Sequence, residues 1–479
     1  MCGVIGLQGN HIQLEQAKGL LQLLIHRGQD ASGLAWVDQY GVHRDSKNKG
    51  APSGISIPKD ESNVIIGSTR YPTFGTRKGE LPVEKFAQPF SYQTKLGPLS
   101  LCHNGQITNM NQLTDQNYYS DAEFITFKLG QLIDKTGDLT QALVTMSHEL
   151  DGAYSIVGIL GKILFAFRDP RGIRPIVVGY QNGLHAASSE SLVLQQAGIT
   201  EFRNLNPGEV MICQDIQAPP VFIQAVKSEK HAHCMFEYVY FASAASRMEN
   251  KNIYQVRIRL GEELGQLLDQ QSLELDYVIP VPDTSKTAAT SLSEHLKIPL
   301  REAILKNRSS MRTFIMPAYD DRLVAAKSKY LFIDALIKDK NILLVDDSIV
   351  RGLTLKYLIE ILRERGAKSI HIAITNPPTK FPCYYGVDFT TDDELIASTN
   401  STEEIADMIN ADSLTYLSLE GLHKAIDIPN LCDACLTGKY PTPYGSKIRD
   451  LVARGVILST TTPYEVNTHD SDASVTQGE

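Results

Sequence analysis

Three groups of residues combine types and spacings that can do chemistry. The chain opens Met1-Cys2-Gly3-Val4-Ile5-Gly6, so removal of Met1 leaves a thiol and a free α-amine on one residue. An α-amino group titrates near about 8 and a thiol near about 8.5, so the amine can relay the thiol proton near neutral pH, directly or through water. No histidine partner is required. The second group is Asn341-Ile342-Leu343-Leu344-Val345-Asp346-Asp347-Ser348-Ile349-Val350-Arg351-Gly352-Leu353-Thr354, an apolar run ending in two acids and a loop that opens a helix. Main-chain N–H groups and the positive helix end suit an anion there; Gly352 allows close backbone approach and Thr354 adds a hydroxyl. The two carboxylates sit at the C-terminal edge of the strand, where ligands bind open α/β sheets. The third group is Cys432-Asp433-Ala434-Cys435, which taken alone suits zinc, a redox pair or two buried thiols.

The elements that must position these residues read as two domains, as 479 residues exceed the size at which single cores stop growing. From residue 2 to 226, short β-like runs (Gly3 to Leu7, Val64 to Ser68, Leu99 to His103, Ala153 to Leu160, Ile163 to Phe167) surround helical stretches at Leu14 to Ile25 and Ala122 to Lys135. Layered sheets flanked by helices fit this α+β pattern. After Pro219-Pro220 the pattern changes to alternating helix and strand, starting with an amphipathic segment from Tyr254 to Asp269 and continuing with strands at Tyr277 to Val281, Asn341 to Val345 and Ile370 to Ile374. A helix from Leu353, with Leu358, Ile361 and Leu362 on one face and Gly366 as its stop, makes a βαβ unit and hence a parallel sheet, the α/β class, for residues 227–458. Residues 459–479, rich in Ser, Thr, Asp and Gly, are expected to be a disordered tail.

Composition excludes some classes. A net charge of −9 argues against a general nucleic-acid binder, no apolar run reaches the roughly 20 residues of a membrane span, and no secretory signal opens the chain. A cytoplasmic location is the expectation. Seven cysteines, an odd number in a long chain, do not read as a secreted disulfide framework, which favours reactive or metal-ligating thiols. Cys213, on an apolar stretch, reads as packed core.

The first half also contains, in order, His26-Arg27-Gly28-Gln29-Asp30-Ala31-Ser32-Gly33, Gly67-Ser68-Thr69-Arg70-Tyr71-Pro72-Thr73, His103-Asn104-Gly105, Ser120-Asp121-Ala122-Glu123, Phe167-Arg168-Asp169-Pro170 and Pro207-Gly208-Glu209. With Cys2 these resemble the class II glutamine amidotransferases, whose nucleophile is N-terminal. The resemblance implies that Arg70 pairs with the glutamine α-carboxylate and Asp121 with its α-ammonium, while the Asn104 side chain and the Gly105 N–H form the oxyanion hole. The Asn341 to Thr354 run resembles the fingerprint of type I phosphoribosyltransferases, which bind phosphoribosyl pyrophosphate (PRPP). It implies that Asp346 and Asp347 address the ribose, that Ser348, Arg351, Gly352 and Thr354 line the 5-phosphate loop, and that Thr284, Asp346 and Asp347 form the Mg2+ environment. Val281-Pro282-Asp283-Thr284-Ser285-Lys286 resembles the family's pyrophosphate loop, and Lys306-Asn307-Arg308 with Arg312-Thr313-Phe314-Ile315 the start of its flexible loop.

Both halves together resemble the amidophosphoribosyltransferases. Cys234 in His233-Cys234-Met235-Phe236-Glu237-Tyr238, Cys383 in Phe381-Pro382-Cys383-Tyr384-Tyr385-Gly386, and Cys432 with Cys435 match the branch that carries a 4Fe-4S cluster, with structural Zn the physical alternative. The family implies glutamine and PRPP as substrates, a homotetramer, feedback by purine nucleotides around Lys306, Arg308 and the PRPP loop, and no nucleic-acid or membrane partner. A sugar-phosphate aminotransferase would share the first domain but would not need the phosphoribosyl loop. The resemblance departs at Ser243-Ala244-Ala245-Ser246, where Arg-Pro-Asp-Ser is usual and a lost packing or inter-domain contact is expected, at Ser309 and Met311 in the flexible loop, and at Leu353. These departures leave a second reading open, a diverged regulatory paralogue that binds PRPP or nucleotide without turnover.

Overall fold

The computed structural model describes residues 1–71, 83–116, 118–228, 230–307 and 329–457. Pro72, Thr73, Arg308, Ser309, Met311, the run from Arg312 to Ile315 and the tail from Ser459 to Glu479 lie outside the described residues. Two antiparallel sheets form the first domain. One has seven strands in the order Phe202–Asn204, Val177–Gln181, Leu184–Ser188, Gly3–Gln13, Glu61–Arg70, Ala31–Val37, His43–Lys49; the other has six, from Val221–Gln224 through Glu209–Cys213, Ile163–Arg168, Gly152–Leu160 and Gly97–Ile107 to Phe90–Thr94.

Their inner faces interdigitate through Val4, Ile66, Cys102, Val157, Ala166, Met211 and Cys213. Helices Asp121–Thr136 and Leu139–Glu149 cover one outer face, while Leu14–Gln22 and Ser191–Gln196 cover the other, giving four layers. This burial fixes strand register, because a one-residue slip would turn each apolar set outward.

Several boundaries differ from the sequence reading for local reasons. The first strand continues past Leu7 to Gln13 through an irregularity between Gln8 and Ile12, and His11 takes φ 55 there. The first helix stops at Gln22, and a 3-10 turn at Ile25–Arg27 leads to Gly28, where a side chain would overlap the Arg70 main chain. After Pro219-Pro220 the chain returns through Val221–Gln224 to pair with Glu209 to Ile212.

The second domain carries a parallel four-stranded sheet in the order Tyr277–Pro280, Asn341–Asp346, Ser369–Ile374, Ser413–Tyr416. Helix Leu353–Glu364 makes the expected crossover; its buried face is Leu355, Leu358, Ile359 and Leu362, with Ile361 only half-buried. Helix Ile253–Leu268 buries Val256, Leu260, Leu264 and Leu268 at four-residue spacing, the apolar stripe of an amphipathic helix. Among the described residues no helix is long and apolar enough to cross a membrane. One buried cluster spans both domains, joining Met1, Ala153 and Ile173 to Cys234, Met235, Tyr384 and Tyr385.

Candidate active sites

Cys2 leads into the Gly3–Gln13 strand, and its nitrogen donates to Asn104 Oδ1 at 3.0 Å, across the space between the two sheets. The preceding Met1 amine is buried at this junction, and burial lowers its pKa to about 6. Asn104 is fully buried, and its Nδ2 donor has no partner among the described residues. Gly105 beside it has φ +146, and a side chain would overlap the Ala153 carbonyl oxygen, so only glycine fits. A buried donor without an acceptor is costly, and one beside a thiol nucleophile is what an oxyanion requires.

Charges flank this pair. Arg70 ends the Glu61–Arg70 strand, donates to Asp30 Oδ2 at 2.9 Å and lies over the Phe86 ring at 4.8 Å. Asp121 opens helix Asp121–Thr136, capped by Ser120; it accepts from the N–H of Ile107 at 3.2 Å and of Ala122 at 3.0 Å, and faces His103 Nδ1 at 3.5 Å. Both side chains are anchored, as a substrate clamp requires.

A buried ionic chain, which sequence reasoning missed, runs from Cys2 into the second domain. Arg27 donates to the Cys2 carbonyl at 3.1 Å, to Glu190 at 2.9 Å, and to both Glu237 carboxylate oxygens at 2.9 and 2.7 Å. Burial disfavours the Arg27 cation, yet Glu237 and Glu190 hold its pKa above the ordinary value. Burial would likewise raise Glu190, but His26 at 2.7 Å and Arg27 hold it down at about 2. Ser243 N–H at 2.9 Å and Ser246 Oγ at 2.7 Å also donate to Glu190, so this segment reaches the first domain through a main-chain group and through Ser246. Arg27 and Glu237 lie inside the motifs quoted above, but nothing in the sequence marks them as partners.

Asp346 and Asp347 end the Asn341–Asp346 strand as expected, and Ser348 Oγ donates to Asp347 at 2.8 Å. Burial and the neighbouring Asp347 push the Asp346 carboxyl well up. Burial pushes Asp347 to about 6, opposed by Ser348 and the cations Arg257 and Lys329. Such a crowded acid pair fits an oxygen-loving divalent cation such as Mg2+. Gly352 takes φ 74 as the N-cap of helix Leu353–Glu364, and Thr354 is exposed. Arg351 turns away, pairing with Glu394, while Lys306 pairs with Asp283 at 3.3 Å in the loop that carries Thr284. Strands Ile304–Lys306 and Tyr330–Phe332 pair antiparallel and bring Lys329 beside Lys306.

Tyr240 lies in the π-helical turn Glu237–Phe241 and is 44% exposed; partial desolvation, with the nearby Asp347, Tyr71 and Asp346, pushes its phenol pKa up. Arg257 donates to the carbonyls of Tyr238, Tyr240 and Ala242 at 3.1, 3.0 and 2.7 Å, satisfying the end of that turn.

Cys234, Cys383, Cys432 and Cys435 are all buried, and Cys234 and Cys432 face each other in paired parallel strands. Burial, with Glu237 and Cys383, pushes the Cys234 thiol up to about 11, and burial with the neighbouring cysteines also raises those of Cys432 and Cys435. The four have therefore converged from three distant segments. Among the described residues, no three His, Cys, Asp or Glu gather closely enough to hold a metal ion. Cys102 and Cys213 lie apart in the first domain's core.

Family models agree with this division: a glutamine amidotransferase domain matches residues 80–196 and a phosphoribosyl transferase domain residues 249–388. Fold and sites thus define a glutamine amidotransferase joined to a phosphoribosyltransferase. The amidophosphoribosyltransferase of Methanothermobacter thermautotrophicus is 36% identical, covering 94% of this chain and 97% of that one. The solved glutamine PRPP amidotransferase of B. subtilis, complexed with ADP and GMP, superposes with a TM-score of 0.81 at 32% identity, covering 92% of this chain and 98% of that one. A second structure, described as the allosteric regulatory enzyme of purine biosynthesis, gives a TM-score of 0.83 at 31% identity, covering 98% of this chain and all of that one (100%). The chain belongs to the amidophosphoribosyltransferase family.

Proposed function

We propose that this enzyme hydrolyses glutamine at Cys2 and transfers the ammonia to carbon 1 of PRPP, giving 5-phosphoribosylamine, glutamate and pyrophosphate, the first committed step of de novo purine biosynthesis. The observation that carries the reading is the buried Asn104, whose Oδ1 holds the Cys2 nitrogen and whose Nδ2 has no partner among the described residues. With Met1 removed, the Cys2 nitrogen becomes the α-amine and takes the thiol proton as sulfur attacks the glutamine amide carbon. Asn104 Nδ2 and the Gly105 N–H stabilise the oxyanion; collapse expels ammonia with the returned proton, and water releases glutamate from the thioester. Arg70 and Asp121 hold the substrate's α-carboxylate and α-ammonium.

Ammonia must reach the ribose unprotonated, which favours an enclosed passage from Cys2. Asp346 and Asp347, with Thr284 near, would hold Mg2+, which when bound supplies positive charge to the departing pyrophosphate. Lys306 and Arg308 act on the same phosphates. Ser348, Gly352 and Thr354 take the 5-phosphate, and Arg351 joins them by trading Glu394 for phosphate. Cys234, Cys383, Cys432 and Cys435 would hold a 4Fe-4S cluster that pins their three segments together, with structural zinc the alternative; their common burial supports a shared ligand. Purine nucleotides as feedback inhibitors gain support from the ADP and GMP in the B. subtilis structure. A homotetramer in the cytoplasm completes the proposal.

The regulatory-paralogue reading has no specific support, since the nucleophile, the donor and the acid pair are all assembled. The test is PRPP-dependent glutamate release measured with phosphoribosylamine formation on anaerobically purified protein, against Cys2→Ala. Coupled products lost in the variant establish the reaction, glutamate alone points to a broken second half, and neither product sinks the proposal. Iron, sulfide and zinc analysis of the same protein decides the thiol ligand.

A further inference from the structure

We infer that Gly386 of the second domain is a positioning residue for the glutaminase oxyanion hole, setting the place of Gly105 by direct main-chain contact. The inference rests on the reading of Gly105 as an oxyanion donor. An ideal Cβ on Gly386 falls 2.9 Å from both the carbonyl carbon and oxygen of Gly105 and 3.3 Å from its Cα. All three are main-chain atoms, so no rotamer change relieves the overlap. Gly386 also has φ +98, a conformation that side chains resist. On its other flank Gly105 meets the Ala153 carbonyl, so it is held between its own sheet and the second domain.

The loop that presents Gly386 is itself fixed. Cys383 N–H donates to the Phe389 carbonyl at 2.8 Å and Tyr385 N–H approaches Cys383 Sγ at 3.4 Å, closing a tight turn. The Tyr385 hydroxyl meets Thr442 Oγ1 at 3.1 Å and accepts from Thr442 N–H at 3.2 Å, tying the loop to the N-cap of helix Pro443–Ala453. From the first domain, Arg174 is buried and donates to the Tyr385 carbonyl through Nε at 2.8 Å and through a second N–H. Arg174 also rests against Glu237 at 3.5 Å, the carboxylate that grips Arg27, and Arg27 holds the Cys2 carbonyl. The nucleophile's main chain and the oxyanion glycine therefore share one support in the second domain. A packed contact of this kind passes a displacement on instead of absorbing it.

The experiment compares Gly386→Ala and Arg174→Lys with the parent enzyme and with Cys2→Ala, using glutamine and then ammonia as nitrogen donor. Because loss of one oxyanion donor costs about 10²–10³-fold, partial displacement in Gly386→Ala is expected to lower glutaminase kcat by about 10- to 100-fold, with the glutamine KM within about threefold and ammonia-dependent synthesis within about twofold. Glutaminase within about threefold of the parent, or equal losses with both donors, overturns the inference. Arg174→Lys keeps the charge but offers the Tyr385 carbonyl at most one good donor, so it should lower the glutamine-dependent rate selectively. That variant carries the decision if Gly386→Ala does not fold, and a parallel loss with ammonia in it is equally fatal. Glutamate release that survives in Cys2→Ala would instead remove the nucleophile assignment, a separate failure.

Discussion

Asn104 offers the sharpest test of the glutaminase chemistry, because its two side-chain atoms do different jobs. Oδ1 holds the Cys2 nitrogen at 3.0 Å, whereas Nδ2 is buried and idle in the resting protein. Replacing Asn104 by Ala removes an oxyanion donor, worth about 3 to 4 kcal/mol, together with a hydrogen bond worth about 1 kcal/mol. Glutaminase kcat is therefore expected to fall by about 10³ to 5 × 10³-fold. The glutamine KM should stay within about threefold, because the oxyanion exists only in the transition state. Asn104→Asp keeps the acceptor for Cys2 but replaces the donor with negative charge, and should be at least as damaging.

Stability should hardly change. The idle Nδ2 already costs the resting protein about 1–3 kcal/mol, which offsets the packing lost on truncation, so the melting temperature should stay within about 3 °C. The assay is steady-state glutamate release with PRPP present, beside phosphoribosylamine formation from ammonia and a thermal melt. A loss confined to KM, or an equal loss with ammonia, would refute the assigned role of Nδ2.

The buried ionic chain and the acid pair yield two more expectations. Lowering the Glu190 carboxyl from 4.5 to about 2 corresponds to about 3 kcal/mol of stability, fully present above pH 4.5 and lost as the pH falls toward 2. Glu190→Gln should therefore melt well below the parent at pH 7, with the gap narrowing between pH 4.5 and 3; a gap that stays constant through that window would contradict the assignment. Asp347→Asn removes one of two carboxylates crowded at the proposed PRPP site, and is expected to raise the KM for PRPP at fixed Mg2+ at least about 30-fold, a cost of about 2 kcal/mol. Ammonia-dependent kinetics check it, and a KM within about threefold of the parent would argue against metal or ribose contact at Asp347.

Much of the chemistry was legible along the chain because each motif is local. Asn341 to Thr354 gave up its strand, acid pair and helix start since strand periodicity, a glycine with positive φ and a helix onset are each decided within a few residues. Cys2, Asn104 and Asp121 were likewise marked by neighbours in sequence. The four cysteines were marked by their local contexts, though not their spacing in space. Strand ends such as Gln13 were not legible, because an irregularity opposite Asn63 is a matter of pairing, not propensity.

What only the tertiary structure decided is the joining of the two halves. Arg27 meets Glu190 and Glu237 at 163 and 210 residues' distance in sequence, and Arg174 meets the Tyr385 carbonyl at 211. An arginine has no local preference that names such a partner. Its burial is tolerable only where distant carboxylates and carbonyls converge to replace water, and that convergence follows from packing two domains against each other. By itself the sequence determined which reactive groups the protein carries and on which local elements they sit. The contact of Gly386 with Gly105, and the support that links Cys2 to the second domain, came into being only when the domains closed on one another.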